Sequence, residues 1–163
     1  MNRQRMRTIV FWSTVVLSLL LMLLPVPDVL VAFKPYWPAL VLIYWTLESV
    51  DYVKLGTAFA IGLAADVIDG FLLGDQALRL AVVAFLVIRF RSRLRFFPMW
   101  QQSLAVLALL LNDRVIELAL RSFSGFALPP LTFWGAPFVG AAVWPFVFLL
   151  LDDVRARLRA HEA

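Results

Sequence analysis

The chain has 163 residues, of which 63% are apolar and 16% are charged, against about 45–50% apolar and about 25% charged in soluble domains. With a mean hydropathy of +0.87, this composition leaves no soluble domain of useful size and indicates a membrane protein. The chain has no cysteine and one histidine, His161, near the C-terminus. Disulfides, thiolate nucleophiles and thiolate metal sites are therefore excluded, and imidazole chemistry is nearly excluded.

Six apolar stretches predict an all-α fold, a polytopic membrane helical bundle of about six transmembrane helices, as one integral membrane domain over residues 1–163. The predicted spans cover residues 9–24, 38–50, 55–74, 77–90, 98–120 and 131–151. About 20 apolar residues cross a hydrocarbon core about 30 Å thick. The first stretch follows three arginines, as in a secretory signal, but Pro25-Val26-Pro27-Asp28 after it contains no small-x-small cleavage site. We therefore expect an uncleaved membrane helix.

Three of the predicted spans have irregular features. The ten residues 38–47 are short for a span, so we expect the second helix to continue to about Val50 or to be shielded by its neighbours. Residues 29–33 before it are interpreted as a re-entrant or interfacial segment. The turn Gly74-Asp75-Gln76 predicts an antiparallel hairpin of the third and fourth helices. Pro145 predicts a kink in the sixth.

The distribution of basic residues predicts the orientation of the spans. Eleven of the fifteen lysines and arginines fall on one side of the predicted bundle, and only Lys34 and Arg121 fall on the other. Because basic residues in short loops stay in the cytoplasm, we expect both termini to be cytoplasmic. The eleven are Arg3, Arg5, Arg7, Lys54, Arg89, Arg91, Arg93, Arg95, Arg155, Arg157 and Arg159.

Four of these arginines form a basic loop between the fourth and fifth spans: Arg89, Arg91, Arg93 and Arg95. We interpret it as a positive-inside loop that also contacts anionic lipids. A docking site for a cytoplasmic partner is the alternative. Nucleic acid is not expected as a partner, because membrane topology already accounts for the net charge of +4.

Charged residues inside the third, fourth and fifth spans predict a polar cluster in the outer half of the bundle, because such residues face protein or a water-filled cavity. Three interpretations stay open: a structural network of ion pairs and hydrogen bonds, a docking surface for a partner's helix or extracytoplasmic domain, and a cavity for a small molecule or lipid headgroup. Gly62 and Gly70 share a face with Asp66, where another helix can pack closely. The cluster comprises Asp66, Asp69, Arg79, Asp113, Arg114 and Glu117.

Asp66 carries the most specific structural hypothesis of this cluster. A carboxylate left alone at this depth would stay protonated, so we expect it to contact a basic residue of the outer half. Arg114 is the first candidate and Arg79 the second.

Catalysis is not expected, and neither is a metal or a cofactor. An intramembrane serine protease needs a histidine at membrane depth, and the spans contain none. The pattern Gly-x-Gly-Asp of intramembrane aspartyl proteases fails at Leu72-Leu73-Gly74-Asp75, where a leucine stands in place of the first glycine. Paired carboxylates alone are a weak signal for an enzyme.

Four segments, in this order and at this spacing, resemble the bacterial rod shape-determining family MreD. They are PYWPALVLIYW at 35–45, GLAADVIDG at 62–70 with Leu73-Gly74 and Ala77-Leu78 after it, FPMWQQ at 97–102, and Trp144-Pro145 followed by alternating arginines. The resemblance covers almost the whole chain. Asp75 departs from it, since a small or neutral polar residue is expected there; it is expected to pair with Arg79.

The resemblance implies a non-enzymatic inner-membrane scaffold of the cell-elongation complex, which helps to maintain rod shape and to direct lateral peptidoglycan synthesis. The implied partners are the bitopic protein MreC, the MreB filament indirectly, and RodA with its penicillin-binding protein. The family also resembles, in fold, the substrate-binding component of energy-coupling-factor transporters. The alternative function is therefore a membrane component of a vitamin-type transporter. Such components carry Ala-x-x-x-Ala on the first helix, and residues 9–24 contain no alanine.

Overall fold

The computed structural model describes residues 2–48, 53–70 and 73–162 of the chain. Within these ranges the chain forms six α-helices and two short 3₁₀ helices, with no β-strand. The helices are α1 (Arg3–Met22), α2 (Trp37–Glu48), α3 (Leu55–Asp69), α4 (Asp75–Leu94), α5 (Met99–Phe123) and α6 (Gly135–Glu162), and the 3₁₀ helices are Val31–Phe33 and Leu131–Trp134. The predicted all-α fold is confirmed.

Two helical segments are long and apolar enough to cross a membrane, Arg3–Met22 and Leu131–His161. Most residues of both segments are not buried inside the fold. Their outward side chains are largely apolar, which suits contact with lipid and not with water.

The helix bounds differ from the predicted spans at several ends. α3 ends at Asp69, five residues before the predicted end, because Gly70 follows in the left-handed conformation (φ +69°) and stops the helix. α4 is longer than predicted and contains three of the four basic-loop arginines, Arg89, Arg91 and Arg93. The predicted irregular segment before α2 contains the 3₁₀ helix Val31–Phe33. Val50, the predicted end of α2, lies outside the described residues.

α2 lies at the centre of the fold. It packs against α1, α4 and α6, and all of its residues from Pro38 to Leu47 are buried. A helix enclosed on every side needs apolar residues all round instead of one apolar stripe, which explains why Thr46 is the one buried polar residue between Pro38 and Leu47. The core around it includes Phe11 of α1 and Trp144 of α6.

α3 and α4 form the predicted antiparallel hairpin. Gly62 on α3 lies against Ala77 on α4, and Asp66, one turn later on α3, contacts Gly74 just before α4 begins. Because residues later in α3 contact residues earlier in α4, the two helices are antiparallel. Gly74 has a φ of +98°, a conformation that a residue with a Cβ rarely adopts.

Candidate functional site

The structure divides the predicted polar cluster into two groups. In the first, the Asp66 carboxylate accepts hydrogen bonds from three backbone N–H groups at the start of α4. Its Oδ2 accepts from Gly74 at 2.8 Å and from Ala77 at 3.3 Å, and its Oδ1 accepts from Gln76 at 2.9 Å. The first N–H groups of a helix have no partner inside it, and the helix dipole favours a negative charge there. Asp66 of α3 is thus the N-terminal cap of α4.

Close packing of α3 on α4 brings Asp66 within reach of these N–H groups. A Cβ added at Gly62 would lie 2.2 Å from the Ala77 Cα, so the site accepts only glycine without a shift of backbone. The close-packing role predicted for Gly62 agrees with this geometry. For Gly70 the prediction is wrong within the described chain, since a Cβ there would meet nothing within 4 Å. Gly70 instead terminates α3 through its positive φ.

Asp69 belongs to the same group but has weaker contacts. It lies at the exposed end of α3, where its Oδ2 accepts from the Gln76 side-chain nitrogen at 3.3 Å. The Gln76 Oε1 accepts from the Tyr36 hydroxyl at 3.0 Å. Gln76 therefore connects α3 to the segment before α2, a role that the sequence analysis missed because a glutamine in a turn is usually solvated.

Arg79 of α4 is the centre of the second group. Its Nε and Nη2 each donate to one oxygen of Asp113 on α5 at 3.0 Å, a bidentate pair. Its Nη1 donates to Asp75 at 3.1 Å, and its Nη2 lies 3.4 Å from Glu117. The guanidinium also lies over the Tyr36 ring, 4.9 Å from the centroid. Arg79 is only 6% exposed, so this one cation joins α4, α5 and the entry to α2. The expected Asp75–Arg79 pair is present.

Glu117 connects this centre to the outer edge of α5. Its Oε2 accepts from Arg114 at 2.7 Å and its Oε1 from Arg121 at 3.0 Å. Both guanidinium groups lie over the ring of Phe133, at 4.5 Å and 5.6 Å from its centroid. Phe133 belongs to the second 3₁₀ helix, so these cation–π contacts hold the start of α6 against α5.

The predicted contact between Asp66 and Arg114 is wrong, and so is the second candidate, Arg79. Asp66 faces the N-terminus of α4, where backbone N–H groups already satisfy its charge. Arg114 lies one helical turn from Glu117 and pairs with it. The hypothesis assumed that a buried carboxylate needs a cationic side chain, but a helix N-terminus meets the same need.

The charges of the second group balance. It contains three arginines, Arg79, Arg114 and Arg121, and three carboxylates, Asp75, Asp113 and Glu117. Asp113 and Glu117 lie four residues apart on α5, where two carboxylates would repel each other, but Arg79 contacts both. A buried charge is tolerated when it is paired and hydrogen-bonded. The second group is therefore an ionic connection between α4, α5 and the segment before α6.

At the opposite end of the fold, the basic-loop arginines have different environments. Arg91 donates from Nε to the Leu47 carbonyl oxygen at 2.9 Å and so caps the C-terminal end of α2. Arg155 of α6 pairs with Glu48 at 2.8 Å on the same end of α2. Arg89 and Arg93 point outward and are exposed. The alternating pattern of these arginines does not indicate which of them contacts the rest of the protein. That depends on where the end of α2 packs against α4.

A buried polar pair in the bundle was not predicted from the sequence. Trp144 of α6 donates from Nε1 to the Gln102 Oε1 at 3.1 Å, and Gln102 of α5 donates to the Leu94 carbonyl oxygen at 3.3 Å. A buried glutamine satisfied on both sides joins α5 to α6 and α4. In the described part of the chain, no group of three or more histidine, cysteine, aspartate or glutamate residues is arranged to hold a metal ion.

Comparison with known proteins agrees with the resemblance drawn from the sequence. Residues 2–154 match the family described as rod shape-determining protein MreD. The chain is 32% identical over 163 residues to the rod shape-determining protein MreD of Haemophilus influenzae, covering 95% of this chain and 98% of that protein. No solved structure matches significantly. The chain therefore belongs to the MreD family of rod shape-determining proteins.

Proposed function

We propose that this MreD-family chain is a non-enzymatic, multi-pass scaffold of the bacterial inner membrane that helps to maintain rod shape. It acts in the cell-elongation complex by binding MreC, and through MreC it is linked to the MreB filament and to RodA with its penicillin-binding protein. In this role it contributes to directing lateral peptidoglycan synthesis. Family membership over almost the full chain is the observation that carries the proposal.

The polar cluster supports a scaffold more than a catalyst or a transporter. Three arginines neutralise three carboxylates within the second group, and backbone N–H groups hold Asp66. Groups satisfied by their own protein are poorly placed to bind a solute. They give instead a stiff bundle on whose outer surfaces other membrane helices can dock.

A depletion experiment tests the role in cell shape. We expect depletion from a rod-shaped host to cause rounding or swelling before lysis, and the cloned gene to restore cell width. If depleted cells keep their width but lose uptake of a vitamin, the scaffold proposal is wrong. Likeness in fold to the substrate-binding component of energy-coupling-factor transporters stays a prediction, which the comparison with solved structures does not support.

Site-specific crosslinking tests the binding of MreC. A photoreactive residue is placed at exposed positions on three helices, Phe59 of α3, Leu104 of α5 and Phe146 of α6, and at buried Val83 of α4 as the control. We expect MreC to be captured from at least one exposed position and not from Val83. Absence of any MreC adduct in cells that grow as rods would contradict direct binding.

A further inference from the structure

The outward arginines at the end of α4 form a pocket. Arg89 and Arg93 are four residues apart, which places them about 6 Å apart along one helix face. With Phe90 and Ser92 they line a shallow cavity of about 230 Å³. Among the residues that the structure describes, neither arginine has an acidic partner. The pocket therefore presents two free guanidinium groups and a hydroxyl.

Other arginines at the same end of the fold bind groups of the protein itself. Arg91, between the two, donates to the Leu47 carbonyl. Arg155 and Arg157 on α6 form ion pairs with Glu48 and Asp153. The same end of the fold thus contains arginines used internally and a pair that no described residue neutralises.

The face of α4 that carries Arg89 and Arg93 is apolar in the turns that precede them. Leu78 and Phe85 are exposed by 44% and 53%, and they precede Arg89 and Arg93 on one helical stripe. Exposed Phe96 and Trp100 follow the pair along the chain. An exposed face that changes from apolar to basic beside exposed aromatic side chains is typical of a helix leaving hydrocarbon for the headgroup region.

From this juxtaposition we propose that Arg89, Arg93 and Ser92 bind the phosphate of an anionic phospholipid headgroup. Guanidinium groups bind phosphate through paired, charge-assisted hydrogen bonds. Phe85 and Leu78 lie where the acyl chains of that lipid would run. The inference requires that α4 crosses the membrane, but it does not depend on a role in cell shape. Arg91 is not part of the site.

Lipid titration of the purified full chain in detergent tests this site. The measured quantity is the lipid concentration that gives half-maximal stabilisation against thermal unfolding, with phosphatidylglycerol, phosphatidylcholine and inorganic phosphate as separate probes. We expect phosphatidylglycerol to bind the parent more tightly than phosphatidylcholine does. Arg89→Gln with Arg93→Gln should weaken phosphatidylglycerol binding about 25-fold, since each basic residue near a headgroup contributes about fivefold.

Two further variants separate the site from general charge and from misfolding. Arg5→Gln with Arg159→Gln removes the same charge from two other exposed arginines and should leave lipid binding within about twofold of the parent. Arg89→Lys with Arg93→Lys keeps the charge but loses the planar guanidinium groups, so it should weaken phosphatidylglycerol binding measurably, but less than the double glutamine variant does. Equal weakening by both glutamine double variants would overturn the proposal.

Two other outcomes would assign the pair to a different ligand. If inorganic phosphate stabilises the parent as well as phosphatidylglycerol does, the pocket binds a soluble phosphate compound and the lipid assignment is wrong. If the Arg89→Gln and Arg93→Gln variant binds lipid normally but no longer retains a cytoplasmic partner on purification, the surface is a protein-docking site and the lipid assignment is again wrong.

Discussion

The Oδ1 of Asp66 lies 2.9 Å from the backbone nitrogen of Gln76, so a side chain of α3 caps the first turn of α4. Capping is usually local, with the cap residue directly before its own helix. Here Gly74 precedes α4 and has no side chain to offer, and the cap comes from the preceding helix instead. The same carboxylate therefore holds α3 close to α4 and accepts hydrogen bonds from the backbone N–H groups at the start of α4.

Replacing Asp66 should destabilise the hairpin. Asp66→Asn keeps one acceptor oxygen but loses the charge, and we expect a loss of about 1–2 kcal/mol in the free energy of unfolding, because backbone N–H groups of α4 lose a charged acceptor. Unfolding in detergent, followed by circular dichroism, measures it. Asp69→Asn is the matched control on the same helix and should have little effect, because Asp69 is exposed. Equal losses for the two variants would contradict the capping role.

Asp66 and Arg114 should act independently on stability. They share no partner in the described contacts, since Asp66 binds the α4 backbone and Arg114 binds Glu117. In a double-mutant cycle with Asp66→Leu and Arg114→Leu, we expect the two effects to add within about 0.5 kcal/mol. A coupling energy well above that value would indicate a direct contact between Asp66 and Arg114 and would contradict the arrangement described here.

Arg79 and Asp113 should be strongly coupled. Removing one member of a buried pair costs about 3–5 kcal/mol because it leaves a buried charge without its partner. Arg79→Met should cost more than Asp113→Leu, since Arg79 also contacts Asp75 and Glu117. The double variant should recover about 1–3 kcal/mol of the summed losses.

An exposed pair provides the control for this cycle. Arg157 and Asp153 are 3.0 Å apart on α6, with side chains 77% and 57% exposed. Their coupling energy should be about 0–0.5 kcal/mol, as is usual for exposed ion pairs on a helix. Similar coupling for the exposed pair and for Arg79 with Asp113 would show that burial does not strengthen the internal network.

Gly62→Ala should destabilise the bundle far more than Gly56→Ala does. The added Cβ at Gly62 would lie 2.2 Å from the Ala77 Cα, and backbone cannot move aside without separating α3 from α4. We expect a loss of about 1–3 kcal/mol or more, as for other overpacked sites. Gly56 lies on the same helix with nothing within 4 Å of its Cβ position, so alanine there should be neutral or slightly stabilising. The unfolding midpoints of the two variants and the parent in detergent measure this difference.

Cysteine labelling tests the proposed orientation, because the parent has no cysteine. Single cysteines at exposed Arg5, Arg93 and Arg159 should react only after the membrane is made permeable. Cysteines at exposed Leu73 and Leu128 should react in intact cells with a reagent that reaches the periplasm. Labelling of position 93 or 159 in intact cells would contradict an even number of spans with cytoplasmic termini. Asp75 is not a suitable position for a cysteine, because replacing it would break its ion pair with Arg79.

The helical fold class, the approximate location of each helix and the family could all be predicted from the amino-acid sequence. These properties depend on local composition: runs of apolar residues predict helices, and Gly62, Asp66 and the segments around them carry the family resemblance. The sequence also predicted that Asp66, Arg79, Asp113 and Glu117 lie within the bundle, since hydropathy identifies the stretches that contain them. Asp69, predicted to lie with them, is exposed.

The groups that these charged side chains contact depend on the packing of the helices and could not be predicted from the sequence. Asp66 and Arg114 have compatible depth and opposite charge, but the direction in which each side chain points depends on how the helices are rotated against one another. That rotation is set by packing, as at Gly62 and Ala77, and it places Asp66 on backbone N–H groups that no side-chain pattern reveals. For the same reason Arg91 contacts α2 while Arg89 and Arg93 do not. The end of α2 packs against one face of α4 only, and alternating arginines do not indicate which face that is.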